Sequence, residues 1–315
     1  MLLLRLCLLV PVAAAFVRPS PRFSVVPISL LHATAVDAIA ALESSQAASV
    51  SSIAAAVPDL APKPDFTWTA ADGVSVAAGG GSSVSLDARD APGPANIAWL
   101  SSLVVSSKLC SLTIFNGPLT DVPHLVSRCN VNGDSLQFTL DFRPRAYGAY
   151  EMRRPDGSYP GPDELGRKSF EYSSARMDFD NKFGTDEVKN WLSSTIASLE
   201  GVSPYDPNPS DLDLLTRGPL YTSVTMPLTD GNVATIAAAR EQAVKYWLSW
   251  VQDGQNGHRP GAPVNTQYVY DTKFKQNAYG ALLNEYSAIF GSDDGTKLAV
   301  GDSGPLDEAY VGGAS

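Results

Sequence analysis

From Ser135 to Phe142 the chain alternates strictly, with Leu136, Phe138, Leu140 and Phe142 set against Gln137, Thr139 and Asp141. Such a period of two predicts a strand with one face in a core and one polar face. Before it, Ile97–Val105, Leu109–Phe115 and Pro123–Val131 are rich in β-formers, and Asn132-Gly133 is a preferred pair for a tight hairpin. Tight turns join antiparallel neighbours, so the central third predicts an antiparallel meander. The Gly79-Gly80-Gly81 and Ala91-Pro92-Gly93-Pro94 runs punctuate shorter strands expected around 64–69 and 83–88, and another strand is expected over Leu220–Met226.

Helical spacing flanks this sheet-forming block. Val36, Ile39, Ala40, Leu42 and Ile53 predict one or two helices between Ala33 and Leu60, closed by Pro58 and Pro62. Asp186–Leu199 reads as helical. A long helix follows Asp230 as its expected cap, carries Val233, Ile236, Ala237, Val244, Trp247, Leu248 and Val251, and ends at Gly254. The last predicted helix, near Tyr268–Phe290, uses Phe274, Leu282, Leu283, Tyr286 and Phe290. Strands in the middle with helices at both ends predict an α+β fold, one antiparallel sheet covered by helices. No internal repeat and no clear domain boundary are visible.

Of the 315 residues, 33 are acidic and 23 basic, for a net charge of −10 and pI near 4.7. An acidic chain lacks the field that phosphate binding draws on, so nucleic acid is not an expected partner. At 44% hydrophobic and 18% charged, the composition excludes a mostly disordered chain. No apolar run of about 20 residues occurs beyond the first turns, so no integral membrane segment is expected in the mature form. Residues 1–15, MLLLRLCLLVPVAAA, read as a signal peptide, and residues 16–36 hold Arg18, Arg22 and several Ser but no acid, as in a transit peptide. The Ala15-Phe16 junction resembles the bipartite plastid leader of algae with complex plastids. A plain secretory signal is the alternative. Residues 37–315 are then a single domain.

Chemistry is sparsely signposted. Once the leader is removed Cys110 and Cys129 remain, without CxxC spacing, in apolar runs that predict buried thiols. His124 and His258 form no metal pattern, and neither glycine run has the setting of a phosphate loop. Two places stand out. The polar face of Ser135–Phe142 carries Asp141, and Arg143 and Arg145 follow at the strand's end, so an acid and cations converge where a pocket is expected to bind an anionic ligand bidentately and a desolvated carboxylic acid to donate protons. Asp271, with Lys273, Lys275, Gln276 and Asn277, is expected to open the last helix. The stretch from Arg143 to Arg176 is the one locally basic region.

Ser111–Arg145, SLTIFNGPLTDVPHLVSRCNVNGDSLQFTLDFRPR, resembles the central sheet of red chlorophyll catabolite reductase: a Ser-Leu-x-Ile strand, a Pro-led strand, and a strand ending Asp-x-x-x-Arg, here Asp141 and Arg145. Ser203–Pro227, SPYDPNPSDLDLLTRGPLYTSVTMP, is similar to the same family's Pro-Tyr, x-x-Arg and small-residue strand before a helix ending Trp-Leu, which places Arg217, Trp247 and Leu248. The related ferredoxin-dependent bilin reductases share the strand from Leu136 to Pro144-Arg145 and a helix running from Lys275-Gln276-Asn277 to Phe290-Gly291. The resemblance spans roughly Ile97–Gly291.

It implies an α/β/α sandwich with a central antiparallel sheet, an open-chain tetrapyrrole between sheet and C-terminal helices, and reduced ferredoxin as electron donor with no bound cofactor and no metal. It implies Asp271 and Asp141 as catalytic acids and Arg128, Thr139, Arg145, Arg217 and Asn277 as substrate-binding residues, in a plastid. The family's glutamate in the Pro-led strand aligns with Arg128, and the bilin-reductase histidine in the next strand with Thr139. Those two changes favour the alternative of a non-catalytic plastid tetrapyrrole carrier, whereas the basic stretch favours docking of an acidic ferredoxin. Which tetrapyrrole is bound and whether the chain forms a homodimer stay open.

Overall fold

The structure is a computed structural model that describes residues 35–69, 72–76, 82–145, 179–206, 209–254 and 264–306. Its contacts divide the chain into residues 1–30 and 31–315, and all of the described residues lie in the second unit. The predicted signal peptide, most of the transit-like segment, and all of the basic stretch beyond Arg145 lie outside the described residues.

A single long helix, α1 (Ala35–Ala56), precedes the sheet. The strands are β1 (Ala61–Pro62), β2 (Ser75–Val76), β3 (Ser82–Ala91), β4 (Ile97–Val105), β5 (Leu109–Asn116), β6 (His124–Asn132), β7 (Ser135–Arg143), β8 (Ser203–Pro204) and β9 (Thr222–Pro227). Helices α2 (Asp186–Ala197), α3 (Asp211–Thr216), α4 (Asp230–Gly254), α5 (Val264–Phe290) and α6 (Ser292–Ser303) complete the fold. The strand order is β1-β3-β4-β5-β6-β7-β9-β8, with β2 on β3, and every pairing is antiparallel. The meander from β4 to β7 is the predicted one, and β3 extends it by one strand.

Period-two alternation sends side chains to two separate cores. One core gathers Leu136, Phe138, Leu140 and Phe142 of β7 with Cys110, Leu112 and Ile114 of β5 beneath α1, α2 and α4. There Trp247 is fully buried and its indole N–H donates to the Pro123 carbonyl at 3.0 Å. The other core gathers Trp99, Leu103, Phe115 and Val126 beneath Phe274, Ala278, Leu282 and Tyr286 of α5 and Leu298 of α6. The chain is therefore an α/β/α sandwich.

Several local expectations shift. At the β6–β7 hairpin Asn132 pairs with Ser135, so the tip is Gly133-Asp134, one residue later than predicted; Gly133 has φ 60, which glycine adopts without Cβ strain. The expected strand at 64–69 is instead a 3₁₀ turn, Pro64–Phe66, followed by one bridge between Trp68 and Leu86; Pro64 has no N–H to give a ladder. Thr229, not Asp230, caps α4, its hydroxyl accepting from Asn232 N at 3.2 Å. Helix α5 starts at Val264, so Asp271 stands two turns inside it rather than at its opening. Helix α6 was not predicted: SDDGTKLAVGDS has two internal glycines and only a short apolar stripe.

Candidate functional site

The polar face of β6, β7 and β9 does not close against α5. A cavity of about 350 Å³, partly open to solvent, separates them, lined among others by Arg128, Gln137, Thr139 and Arg143 from the sheet and Asn284 and Glu285 from α5. Helix α3 and its flanks wall the remaining side with Tyr205, Asp206, Asp213, Arg217 and Tyr221. The volume falls at the low end of the roughly 300–1,000 Å³ usual for ligand pockets. Small residues make the room: Ala281 and Ala288 sit one above the other at two-turn spacing on α5. On the same helix, a Cβ on Gly280 would come within 2.5 Å of Leu212 Cδ1, so glycine there lets α3 approach.

Arg128 lines the cavity from β6. Its Nη1 donates to Glu285 Oε2 at 2.8 Å, its Nη2 lies 3.6 Å from Asp302, and its guanidinium lies over the Tyr286 ring at 5.5 Å. Burial works against its charge, but Glu285, Tyr286 and Asp302 outweigh it and hold its pKa above the ordinary arginine value. Asp302 is wholly buried and accepts from Ser101, Ser111, Thr113 and Tyr286 hydroxyls at 2.6–2.9 Å. Tyr286 is pushed well above the usual phenol range by burial in spite of Arg128, with Asp302 adding to the rise, so it is a hydrogen donor at any ordinary pH. This network fixes Arg128 from behind.

Arg217 follows α3. Its guanidinium is clamped by Asp206, at 3.1 and 2.6 Å, and by Asp213, at 2.9 and 2.5 Å, and it stacks over Tyr221 at 4.1 Å. Burial opposes the charge, yet these partners raise its pKa, and its hydrogen bonds lower that of Asp206. Thr139 also lines the cavity, within 3.2 Å of Ser223 Oγ across the β7–β9 pair.

The two predicted acids do not line the cavity. Asp141 has no exposed surface; its Oδ2 accepts from Gly218 N at 2.8 Å and from Arg143 Nε at 3.2 Å. Gly218 is required by that approach, since a Cβ there would meet Phe142 O at 2.6 Å and Asp141 Oδ1 at 2.7 Å. Asp271 is gripped by Arg145, through Nη2 and through Nε at 3.2 Å, and by Gln267 Nε2 at 2.8 Å. Burial raises the Asp271 carboxyl's pKa while Arg145 opposes it. The two places singled out in the sequence thus meet as one ion pair beside the cavity. Asn277 is half-buried on α5, one turn before Ala281, and is not part of the lining.

His124 is buried, stacks on Phe274 at 4.7 Å and accepts from Asn116 N through Nδ1 at 2.9 Å. Burial, then Arg145 and Arg143, keep its pKa well below 6.5, so the ring is neutral at pH 7. Cys110 and Cys129 are buried free thiols as predicted, and burial pushes Cys129 up to about 12 against the pull of Arg240. Among the described residues no group of three metal-ligating side chains is assembled, and no helix is long and apolar enough to cross a membrane.

Sequence reasoning missed Glu285, Tyr286 and Asp302, and with them Tyr205, Asp206, Asp213, Tyr221 and Asn284 of the lining. A signal existed for Glu285: Asn277, Ala281, Asn284, Glu285 and Ala288 form a small and polar stripe at helical spacing beside the apolar one.

No family model and no curated protein matches this chain. Among solved structures, phytochromobilin synthase from tomato, determined in complex with biliverdin, aligns over 82% of this chain and 81% of its own, with a TM-score of 0.47 and 12% sequence identity.

Proposed function

We propose that this protein reduces an open-chain tetrapyrrole with electrons from ferredoxin, in the manner of the red chlorophyll catabolite and bilin reductases its sequence resembles. One observation carries the reading. Arg128 and Thr139, cross-strand partners in the β6–β7 hairpin, and Arg217, far from them in sequence, were all picked by the resemblance and line a single cavity between sheet and α5. Cations there suit propionates, and the neutral donors and acceptors Asn130, Gln137, Tyr205, Tyr221 and Asn284 suit pyrrole N–H groups and lactam oxygens. In this reading Asp141 and Asp271 set the positions of Gly218, Arg143 and Arg145, and the pigment contacts fall to the cavity lining. Residues 1–36 would deliver the protein to a plastid, where pigment and ferredoxin are both found.

Arg143 and Arg145 are 6% and 3% exposed, so the two cations that made the stretch from Arg143 to Arg176 basic are internal. The rest of that stretch holds equal numbers of acids and bases. A positive docking surface for ferredoxin therefore draws no support from it. A carrier that holds the pigment unchanged is the second reading, favoured by Arg128 at the strand position where the family has glutamate.

Mixing the purified protein with biliverdin or red chlorophyll catabolite, then adding reduced ferredoxin, separates the two. Progressive loss of the conjugated visible absorption is expected. A shifted spectrum that survives reduction identifies a carrier, and no shift with either pigment defeats both readings. A fluorescent fusion of residues 1–40 that enters the secretory pathway instead of a plastid overturns the location.

A further inference from the structure

The acids around the cavity are not equivalent. Asp206 and Asp213 are both engaged by Arg217, Asp141 is sealed behind Gly218 and Arg143, and Asp271 faces Arg145 outside the lining. Glu285 is engaged more lightly. Its side chain is 41% exposed, it lines the cavity, and only Oε2 is occupied, by Arg128; Oε1 takes no hydrogen bond from the described residues. Asp213 Oδ1 likewise takes no hydrogen bond from the described residues, but Asp213 receives two from Arg217 on Oδ2 and its side chain is 29% exposed, so Glu285 is the more accessible of the two carboxyls with an oxygen available to a bound molecule.

Resting on the reductase reading above, we propose that Glu285 is the proton donor to the pigment and that Arg128 positions it. The step balances as follows. One electron from an iron–sulfur donor enters the conjugated system, the Oε–H bond of Glu285 breaks, and a new bond from that proton to the pigment radical anion forms. Arg128 holds the resulting carboxylate. Solvent reprotonates Glu285, and a second electron and proton complete reduction of one double bond.

The groups that face Glu285 shift its proton affinity in the direction a proton donor needs. Partial desolvation within the cavity raises its pKa first, Arg128 from β6 and Arg143 from β7 oppose, and Asp213 from α3 and Asp302 from α6 add to the rise, for a net upward shift. Tyr286, its neighbour on α5, keeps its proton and is directed to Asp302. Turnover that requires the protonated acid falls as pH rises through this pKa. Removing Arg128 removes a cation that favours the ionised form, so the fall then moves to higher pH.

The test compares wild type, Glu285→Gln and Arg128→Gln in pigment titrations and in single-turnover reduction by ferredoxin from pH 5 to 9. Glu285→Gln is expected to bind the pigment within a few-fold of wild type, to reduce it at least about 100-fold more slowly, and to accumulate the pigment radical seen by electron paramagnetic resonance. Arg128→Gln is expected to turn over with its high-pH limb displaced upward. Wild-type rates and an unchanged pH profile in Glu285→Gln overturn the assignment and leave the reductase reading intact. A wild type that bleaches no pigment removes both. Should circular dichroism show Glu285→Gln unfolded, the Arg128→Gln profile decides: an unmoved limb overturns the proposal.

Discussion

On β7 the side chains of Leu136, Phe138, Leu140 and Phe142 enter the core under α1 and α4, while Gln137, Thr139 and Arg143 line the cavity under α3 and α5. The same strands thus build two faces of different character. Under α4, the wholly buried Arg240 donates to the Leu42 and Cys110 carbonyls, both cysteine sulfurs and Ser127 Oγ at 3.0–3.2 Å. None of its partners among the described residues is a carboxylate. Its hydrogen bonds pin α1, β5 and β6 to α4, and apolar contacts fill the surroundings. Under α5, by contrast, arginines meet carboxylates and the layer stays open. The first face is a packed structural core. The second concentrates charge at the edge of a void, the arrangement in which buried polar groups become chemically useful.

That contrast predicts that mutations on the two faces separate stability from ligand binding. The largest effect is expected on the network that joins them to the sheet. Asp302→Asn places an amide N–H₂ group among hydroxyl donors and removes the second carboxylate from Arg128, and should cost about 3–5 kcal/mol in denaturant unfolding. It should also weaken pigment binding by releasing Arg128. Arg240→Ala leaves acceptors orphaned and a void under α4, and should cost about 3 kcal/mol. Here, at temperatures where the variant is folded, pigment affinity is expected to stay within a few-fold of wild type. A large loss of affinity in that variant would dissolve the distinction between the faces.

A pH measurement sharpens the comparison at the cavity's flank. The folded pKa of His124 lies below its unfolded value near 6.5, so the unfolded chain binds the extra proton first. Stability from this group is complete above about pH 6.5 and declines as pH falls toward the folded pKa, at most about 1.4 kcal/mol per pH unit. His124→Gln should lack that slope between pH 6.5 and 5, read as the difference between the two unfolding midpoints. The smallest effect is expected from Thr139→Val, which gives up one hydroxyl contact with Ser223 on the cavity wall. It should change stability by less than about 1 kcal/mol and pigment affinity by less than tenfold.

The sheet was legible because its signals are local. Alternation on β7 and the adjacent Gly133 turn depend on residues a few positions apart, and β4, β5 and β7 fall within one residue of their expected bounds. Arg128, Thr139 and Arg217 were legible through motif order. What escaped was set by tertiary pairing. Asp302 reads as an ordinary polar residue in a glycine-broken segment, and only packing of α6 brings it to hydroxyls on β4 and β5, some 190 to 200 positions earlier. Arg145 and Asp271 were each noticed, but their spacing of 126 residues hid the ion pair. Nothing near Glu285 in sequence announces the strand arginine opposite it, Arg128, 157 positions earlier.

The central claim is that an open-chain tetrapyrrole occupies the void between β6, β7, β9 and α5. Ala281→Trp fills that void from the helix side without touching the α4 core. The most direct measurement is an absorbance titration of wild type and this variant with biliverdin and red chlorophyll catabolite, alongside thermal unfolding. The expected result is a saturable spectral shift for wild type and none for Ala281→Trp, with Tm values within a few degrees of each other. An equal shift in both proteins would place the pigment elsewhere and contradict the account.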